Sequence, residues 1–242
     1  MRTALPRLIR QWISAGVDLL FPPRCAGCGR LGVEWCQTCE QSVVKLGGSL
    51  CPRCGGHLLQ RRQCPSCAEN RLPLIARSHA FYEGPLVRAL LQLKYRANRR
   101  LAAIMGGWLR QIYITAGWRA DLVVAVPLSA ARLRQRGYNQ AELISVALAK
   151  AVELPHEGGA LVRTRETVSQ VGLGPNERRR NVAGAFFGQP DMVCDRVVLV
   201  VDDLYTTGAT MAACARGLMT AGARQVLGLT VGRARSHELH SR

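Results

Sequence analysis

The chain has no uninterrupted apolar run approaching the roughly 18 residues of a membrane-spanning helix, so no transmembrane segment is expected. Acidic residues are scarce, with 16 Asp+Glu against 33 Lys+Arg and a formal charge of +17. Lysine is scarcer still: only Lys45, Lys94 and Lys150 stand among the basic residues. A positive charge spread this widely disfavours cationic ligands. It suits anionic partners such as phosphorylated metabolites, nucleic acid or anionic lipid, and it equally marks a basic, solvated surface. Aromatic residues make up 5% of the chain, which leaves few of the stacking platforms that single-strand nucleic-acid binders use. No Ser/Cys–His nucleophile arrangement is visible, and His79, His156, His237 and His240 have no catalytic setting.

No secretory signal is expected either. The opening MRTALPRLIRQWISAGVDLLFPPR interrupts its apolar stretch with Arg7, Arg10 and Asp18. Leu5, Leu8, Ile9, Trp12, Ile13, Val17 and Leu20 follow helical spacing instead. They predict an amphipathic helix over residues 1–22, ended by Pro22-Pro23. Such a helix docks on the protein's own body or lies on a membrane surface. The expected compartment is the cytoplasm.

What the chain has in excess is cysteine. Eight of its ten cysteines form four C-x-x-C pairs: Cys25/Cys28, Cys36/Cys39, Cys51/Cys54 and Cys64/Cys67. A two-residue spacer lets a tight turn present both sulfurs to one tetrahedral ion. Four pairs make two four-thiolate sites, read as two structural Zn2+ ions, with iron–sulfur or redox disulfide chemistry as the alternatives. The pairing is sequential (25/28/36/39 and 51/54/64/67) or an interleaved cross-brace, and spacing leaves both open. Residues 23–72 are too short for much apolar core, so metal binding supplies much of the folding energy of this module. Filled ligand sets make both metals structural. His57 reads as a surface residue, and Cys194 and Cys214 as small buried apolar residues.

From residue 73 to 242 the pattern becomes that of a second domain. Ile75 to Tyr82, LVVAVP, VVLVV and VLGLTVG read as strands. PLVRALLQLKY, LAAIMGGWLRQIYI, Gln140 to Val152 (capped by Asn139) and Thr210 to Ala221 read as helices. Short apolar runs alternating with helices imply an α/β fold, a mostly parallel sheet flanked by helices. Ligands of such sheets bind beyond the carboxyl ends of the strands. Two stretches begin there, DDLYTTGAT and PLSAARLRQRGYNQ. In the first, Thr206 to Thr210 turn into a helix whose free N–H groups, hydroxyls and dipole favour an anion, and Gly208 permits close backbone approach. A phosphate there leaves Asp202 and Asp203 one sugar's width away as acceptors for vicinal hydroxyls. The run therefore suits a ribose 5-phosphate.

VVLVVDDLYTTGAT resembles the phosphoribosyl-pyrophosphate signature of type I phosphoribosyltransferases. VPLSAARLRQRGYNQAE (Val126 to Glu142), SQVGLGPNERRRNVAGAF (Ser169 to Phe186) and the FPPRCAGCG entry to the double zinc ribbon narrow the resemblance to the ComF/GntX family of phosphoribosyltransferase-like proteins. Ser129 stands where that family often has histidine, and Tyr138 where it often has phenylalanine. The resemblance implies that Asp202 and Asp203 hold the ribose hydroxyls and that Thr206, Thr207, Gly208, Ala209 and Thr210 bind the 5-phosphate. It sets Ser129, Arg132, Arg136 and Arg178 on the pyrophosphate side, with Mg2+ accompanying the donor. Arg132, Arg134 and Arg136 read as part of a loop. Arg178-Arg179-Arg180 reads as a mobile lid or as a solvated charge run. Lys94-Tyr95-Arg96 reads as an ordinary basic helix end.

The implied activity is transfer of phosphoribose from phosphoribosyl pyrophosphate to an acceptor that the sequence does not reveal. Two alternatives stay open. One is a competence-type accessory protein that handles single-stranded DNA, directly or through a DNA-uptake helicase. The other is a sensor that binds the donor without turnover. Oligomeric state is not legible.

Overall fold

The computed structural model describes residues 22–58, 64, 67, 73–165 and 174–235. The helix expected over residues 1–22 lies outside these apart from Pro22. None of the described helices is long and apolar enough to cross a membrane.

The cysteine module contributes a short helix, α1 (Gln37–Gln41). The rest of the chain alternates strand and helix: β1 (Ile75–Phe81), α2 (Pro85–Tyr95), α3 (Arg99–Thr115), β2 (Leu122–Ala125), α4 (Ala130–Arg136) and α5 (Gln140–Val152). It continues through β3 (Leu161–Arg163), α6 (Pro175–Val182), β4 (Phe186–Gly188), α7 (Pro190–Val193), β5 (Val197–Tyr205), α8 (Ala209–Thr220) and β6 (Gln225–Arg233). Strands β1, β6, β5 and β2 lie in that order in one sheet, and every neighbouring pair is parallel. β3 and β4 form a separate antiparallel pair.

The unbroken apolar run at Val197–Val201 follows from burial on both faces of the sheet. Val198 and Val200 join a core with Met211, Cys214 and Leu218 of α8 and Phe186 of β4. Leu199 and Val201 join the opposite core with Leu90 of α2, Met105 of α3 and Ile144 of α5. Burying a Leu- or Val-sized side chain contributes roughly 1.5–3 kcal/mol, so these two layers carry the domain.

Both sheet edges are covered. Beyond β2, the Val123 N–H donates to the Pro155 carbonyl (2.9 Å) and the Glu157 N–H to the Val123 carbonyl (3.0 Å). Beyond β1 lies the cysteine module: the Ala76 N–H donates to the Arg53 carbonyl (2.7 Å) and the Phe81 N–H to the Val44 carbonyl (2.9 Å). The module also docks through rings. Trp35 meets Trp108 of α3 edge-on at 5.3 Å, and Trp108 stacks on His79 of β1 at 4.7 Å. Burial in this stack pushes the His79 imidazole down to about 4.

Four features differ from the sequence reading. β5 does not stop at Val201 but runs through both aspartates to Tyr205, because β6 continues to pair with it as far as Arg233. The arginines 132, 134 and 136 lie on a helix, α4, rather than in a loop; Ser129 caps its start and Gly137, at φ +74°, ends it. The Arg178 run from Pro175 onward is also helical, its first turn closed by the Glu177 carboxylate accepting from the Gly174 N–H (2.7 Å). The preceding residues 166–173 lie outside the described ones. Cys214 is fully buried as expected, but Cys194 is exposed, since it follows α7 at the start of a surface turn with Asp195 at positive φ.

Candidate functional site

The carboxyl ends of β5 and β2 bring the two singled-out stretches together. Asn139, which caps α5 by accepting from the Ala141 N–H (3.0 Å), donates its amide to the Val126 carbonyl just beyond β2 (2.9 Å). Gln140 then reaches across to the Asp203 carboxylate (3.3 Å).

Alternation along β5 sends the two aspartates to opposite faces of the sheet. Asp203, 6% exposed, faces α2 and α5, where the Lys94 ammonium lies 3.6 Å from its carboxylate. Asp202 faces α8 and accepts the Asp203 N–H on its own carboxylate (2.8 Å). It lines a small recess with Tyr205, Thr206, Gly208, Thr210 and Met211. Burial, and then the neighbouring Asp203 carboxylate, push the Asp202 carboxyl well above the usual range. One nearby lysine serves two carboxyls. A hard dication with oxygen ligands beside Asp202 would relieve that imbalance.

Beyond Tyr205 the chain turns through Thr206-Thr207-Gly208 into α8. Gly208 is the N-cap at φ +78°, ψ 3°, and has no side chain with which to cap the helix itself. The Thr207 hydroxyl accepts from the Ala209 N–H (3.3 Å), and the first intrahelical bond runs from the Ala212 N–H to the Gly208 carbonyl (2.9 Å). A Cβ at Gly208 would lie 2.1 Å from the Tyr205 hydroxyl, so both the backbone angle and the space require glycine. Tyr205 is buried beneath the loop, and the Arg233 guanidinium lies over its ring at 4.2 Å.

The other expected site residues are distributed as follows. Ser129 is buried, and its hydroxyl accepts the Arg132 N–H at the start of α4 (3.4 Å). Arg136 donates to the Gln140 amide oxygen (3.0 Å), so it joins the chain Arg136–Gln140–Asp203–Lys94. Arg178 is half-buried on α6, with its Nε shielded and without a hydrogen-bond partner among the described residues. The sequence reading missed four contributors: Lys94, Gln140, Tyr205 and Arg233. Tyr138 also belongs to this frame, since its hydroxyl donates to the Leu93 carbonyl (2.7 Å) and pins the end of α2 beside the α4–α5 turn.

The cysteines sort sequentially. Cys25, Cys28, Cys36 and Cys39 form one cluster and Cys51, Cys54, Cys64 and Cys67 the other, with the sulfurs of each within 4.8 Å of one another. Measured pairs are 3.6 Å for Cys25–Cys39 and Cys28–Cys36, and 3.4 Å for Cys54–Cys64. A tetrahedron with Zn–S bonds of about 2.3 Å has edges of about 3.8 Å, so the ligand sets fit Zn2+. Backbone N–H groups support the sulfurs: Cys36 to Cys25 (3.3 Å), Cys39 to Cys36 (3.5 Å) and Gly56 to Cys54 (3.4 Å). The thiols in each set divide. The N–H of Cys39 brings Cys36 down to about 6, whereas burial pushes Cys39 up. A hydrogen bond from Cys67 brings Cys54 down to about 4, while the same contact pushes Cys67 up. Four thiolates cannot coexist at this spacing without a cation between them. His57 is exposed and outside both sets.

The double zinc ribbon domain model matches residues 16–68. The chain is 31% identical to the DNA utilization protein YhgH of Escherichia coli K12 over 204 residues, covering 79% of this chain and 86% of that protein. It is 28% identical to competence protein F of Haemophilus influenzae over 222 residues, covering 85% and 95%. Among solved structures, the Mycobacterium tuberculosis orotate phosphoribosyltransferase in complex with 5-phospho-α-D-ribosyl 1-diphosphate matches at 22% identity and a TM-score of 0.36, covering 61% of this chain and 66% of that one.

Proposed function

The chain belongs to the ComF family of phosphoribosyltransferase-like proteins, that of the DNA utilization protein YhgH and competence protein F, and on that basis we propose that its crevice beyond β5 binds phosphoribosyl pyrophosphate with Mg2+. The observation that carries this reading is the Asp202 to Thr210 segment, in which a strand end, two carboxylates and a helix start with glycine as its N-cap follow one another within nine residues. In this reading Thr206, Thr207, Gly208, Ala209 and Thr210 receive the 5-phosphate and Asp202 and Asp203 the ribose hydroxyls. Ser129, Arg132, Arg136 and Arg178 serve the pyrophosphate. Asp202 and the pyrophosphate oxygens would hold Mg2+, which when bound neutralises charge on the leaving pyrophosphate. Lys94 orients Asp203 through its ion pair. The family's parent chemistry is phosphoribosyl transfer to an acceptor, and binding without turnover would make the protein a sensor of the same donor. Residues 23–72 form the zinc ribbon and 73–242 the donor-binding domain.

Calorimetric titration of the zinc-loaded protein with phosphoribosyl pyrophosphate and Mg2+ tests the reading. Micromolar binding that an Asp202→Asn, Asp203→Asn double variant loses is the expected result. Absence of heat with the unaltered chain rejects a live donor site.

A second reading, handling of single-stranded DNA, draws on one surface feature and on the relatives' names. Tyr95 is 76% exposed at the end of α2, next to Arg96 and four residues before Arg99, the first residue of α3, so an exposed ring lies in a basic stretch of the chain. DNA binding that falls steeply with salt, survives Asp202→Asn and is lost in Tyr95→Ala would favour it.

A further inference from the structure

Arg233, the last residue of β6, touches the metal module and the phosphate loop at once. Its Nη1 donates to the Cys54 carbonyl (2.7 Å) and its Nη2 lies 3.4 Å from the Cys54 sulfur. The same guanidinium lies over the Tyr205 ring, and its backbone is tied down on both sides. The Tyr82 N–H donates to the Arg233 carbonyl (2.7 Å), and the Ala234 N–H donates to the Tyr205 carbonyl (2.9 Å). There is no slack at either end of this bridge. Towards the metal, a Cβ on Gly56 would lie 2.7 Å from Nη2, so the knuckle closes directly onto the guanidinium. Towards the loop, the Tyr205 hydroxyl sits where a Gly208 side chain would be. Among the described residues the first cluster has no counterpart; its links run to α2 and α3, through Arg88 to the Gly27 carbonyl and Asn98 to Glu34.

We propose that Arg233 is a positioning residue that couples the second cluster to the anion loop, so that metal held by Cys51, Cys54, Cys64 and Cys67 and phosphate at Thr206–Thr210 each tighten the other's binding. The inference rests on the donor-site reading above. Metal fixes the Cys51–Gly56 turn and with it the carbonyl and sulfur of Cys54. Those two acceptors fix the guanidinium, the guanidinium fixes the Tyr205 ring, and the ring supports Gly208 from beneath. A bound phosphate stabilises the same Gly208 geometry from above. Because two ligands then favour one arrangement of the same four groups, the effect is reciprocal by linkage.

The test uses the full zinc-loaded chain, a chelator selective for Zn2+ over Mg2+, and iodoacetamide labelling read peptide by peptide. Phosphoribosyl pyrophosphate with Mg2+ is the probe, and ribose 5-phosphate a second one. The expected result is that either probe slows labelling of Cys51, Cys54, Cys64 and Cys67 by about fivefold or more while that of Cys25, Cys28, Cys36 and Cys39 stays unchanged. Arg233→Met should abolish the difference and Arg233→Lys should keep a reduced one. Equal slowing of both clusters means general stabilisation and overturns the coupling. No slowing of either, in a protein that calorimetry finds saturated with donor, also overturns it. No calorimetric binding rejects the donor site itself and the coupling with it. The unaltered chain decides between these outcomes, so the inference does not depend on whether Arg233→Met folds.

Discussion

Asp202 and Asp203 are consecutive, yet their surroundings differ. Asp203 has Lys94 and Gln140 as partners, whereas Asp202 has its neighbour's N–H and the crowded face of α8. The raised Asp202 carboxyl has a consequence for stability. The unfolded chain releases this proton near the ordinary value of about 4, and the folded chain holds it to higher pH. Stability therefore falls as pH rises from about 4 towards the folded value. Asp202→Asn should raise Tm at pH 7 by roughly 2–4 °C, the shift that about 1 kcal/mol causes in a chain of this size, with the gain fading near pH 4. Thermal scans across that range check it, and a gain that is constant with pH would contradict it. Lys94→Met should act in the other direction. Without its cation the acid pair repels more strongly, so donor affinity should fall by about tenfold, the equivalent of about 1.4 kcal/mol, in the same calorimetric titration.

At the scale of elements, Asn98 joins a helix to the metal module. Its side-chain oxygen caps α3 by accepting from the Leu101 N–H (3.0 Å), and its amide donates to the Glu34 carboxylate (2.7 Å). Asn98→Ala loses both bonds and should cost about 1–2 kcal/mol. Asn98→Ser keeps a capping oxygen but cannot reach Glu34, so chemical denaturation should find it between the two. Such caps were partly legible in the sequence. Asn139 was recognised from its place before an amphipathic run, and β5 from five consecutive apolar residues. Helix α4 was not recognised, because none of its residues is buried and AARLRQR therefore carries no apolar stripe. Its only signals were the flanking Ser129 and Gly137. Lys94 was discounted because a basic residue at a helix end already has a local explanation. Its partner lies more than a hundred positions away, and no spacing rule links the two. The same holds for Tyr205 and Arg233, which meet only because β5 and β6 pair in register.

The whole molecule rests on a sheet whose β1 edge is closed by the cysteine module. Stripping both metals should therefore do more than unfold 50 residues. It should uncover a strand edge and the Trp35–Trp108–His79 stack. The expected outcome of chelation is a red shift of tryptophan emission together with concentration-dependent aggregation, read by fluorescence and light scattering. A soluble apoprotein with unchanged emission would mean that the sheet stands without its cover.

The sheet order also has a temporal side. β1 pairs with β6 alone within the sheet, and Cys54 precedes its Arg233 partner by 179 residues. At about 5–20 residues per second, a ribosome needs about 9–36 s to deliver that arginine after the cysteine has emerged. During that interval the second cluster can recruit metal only through its own turns, and β1 has no strand beside it. The newborn chain thus spends much of its synthesis with its first module waiting for its last strand.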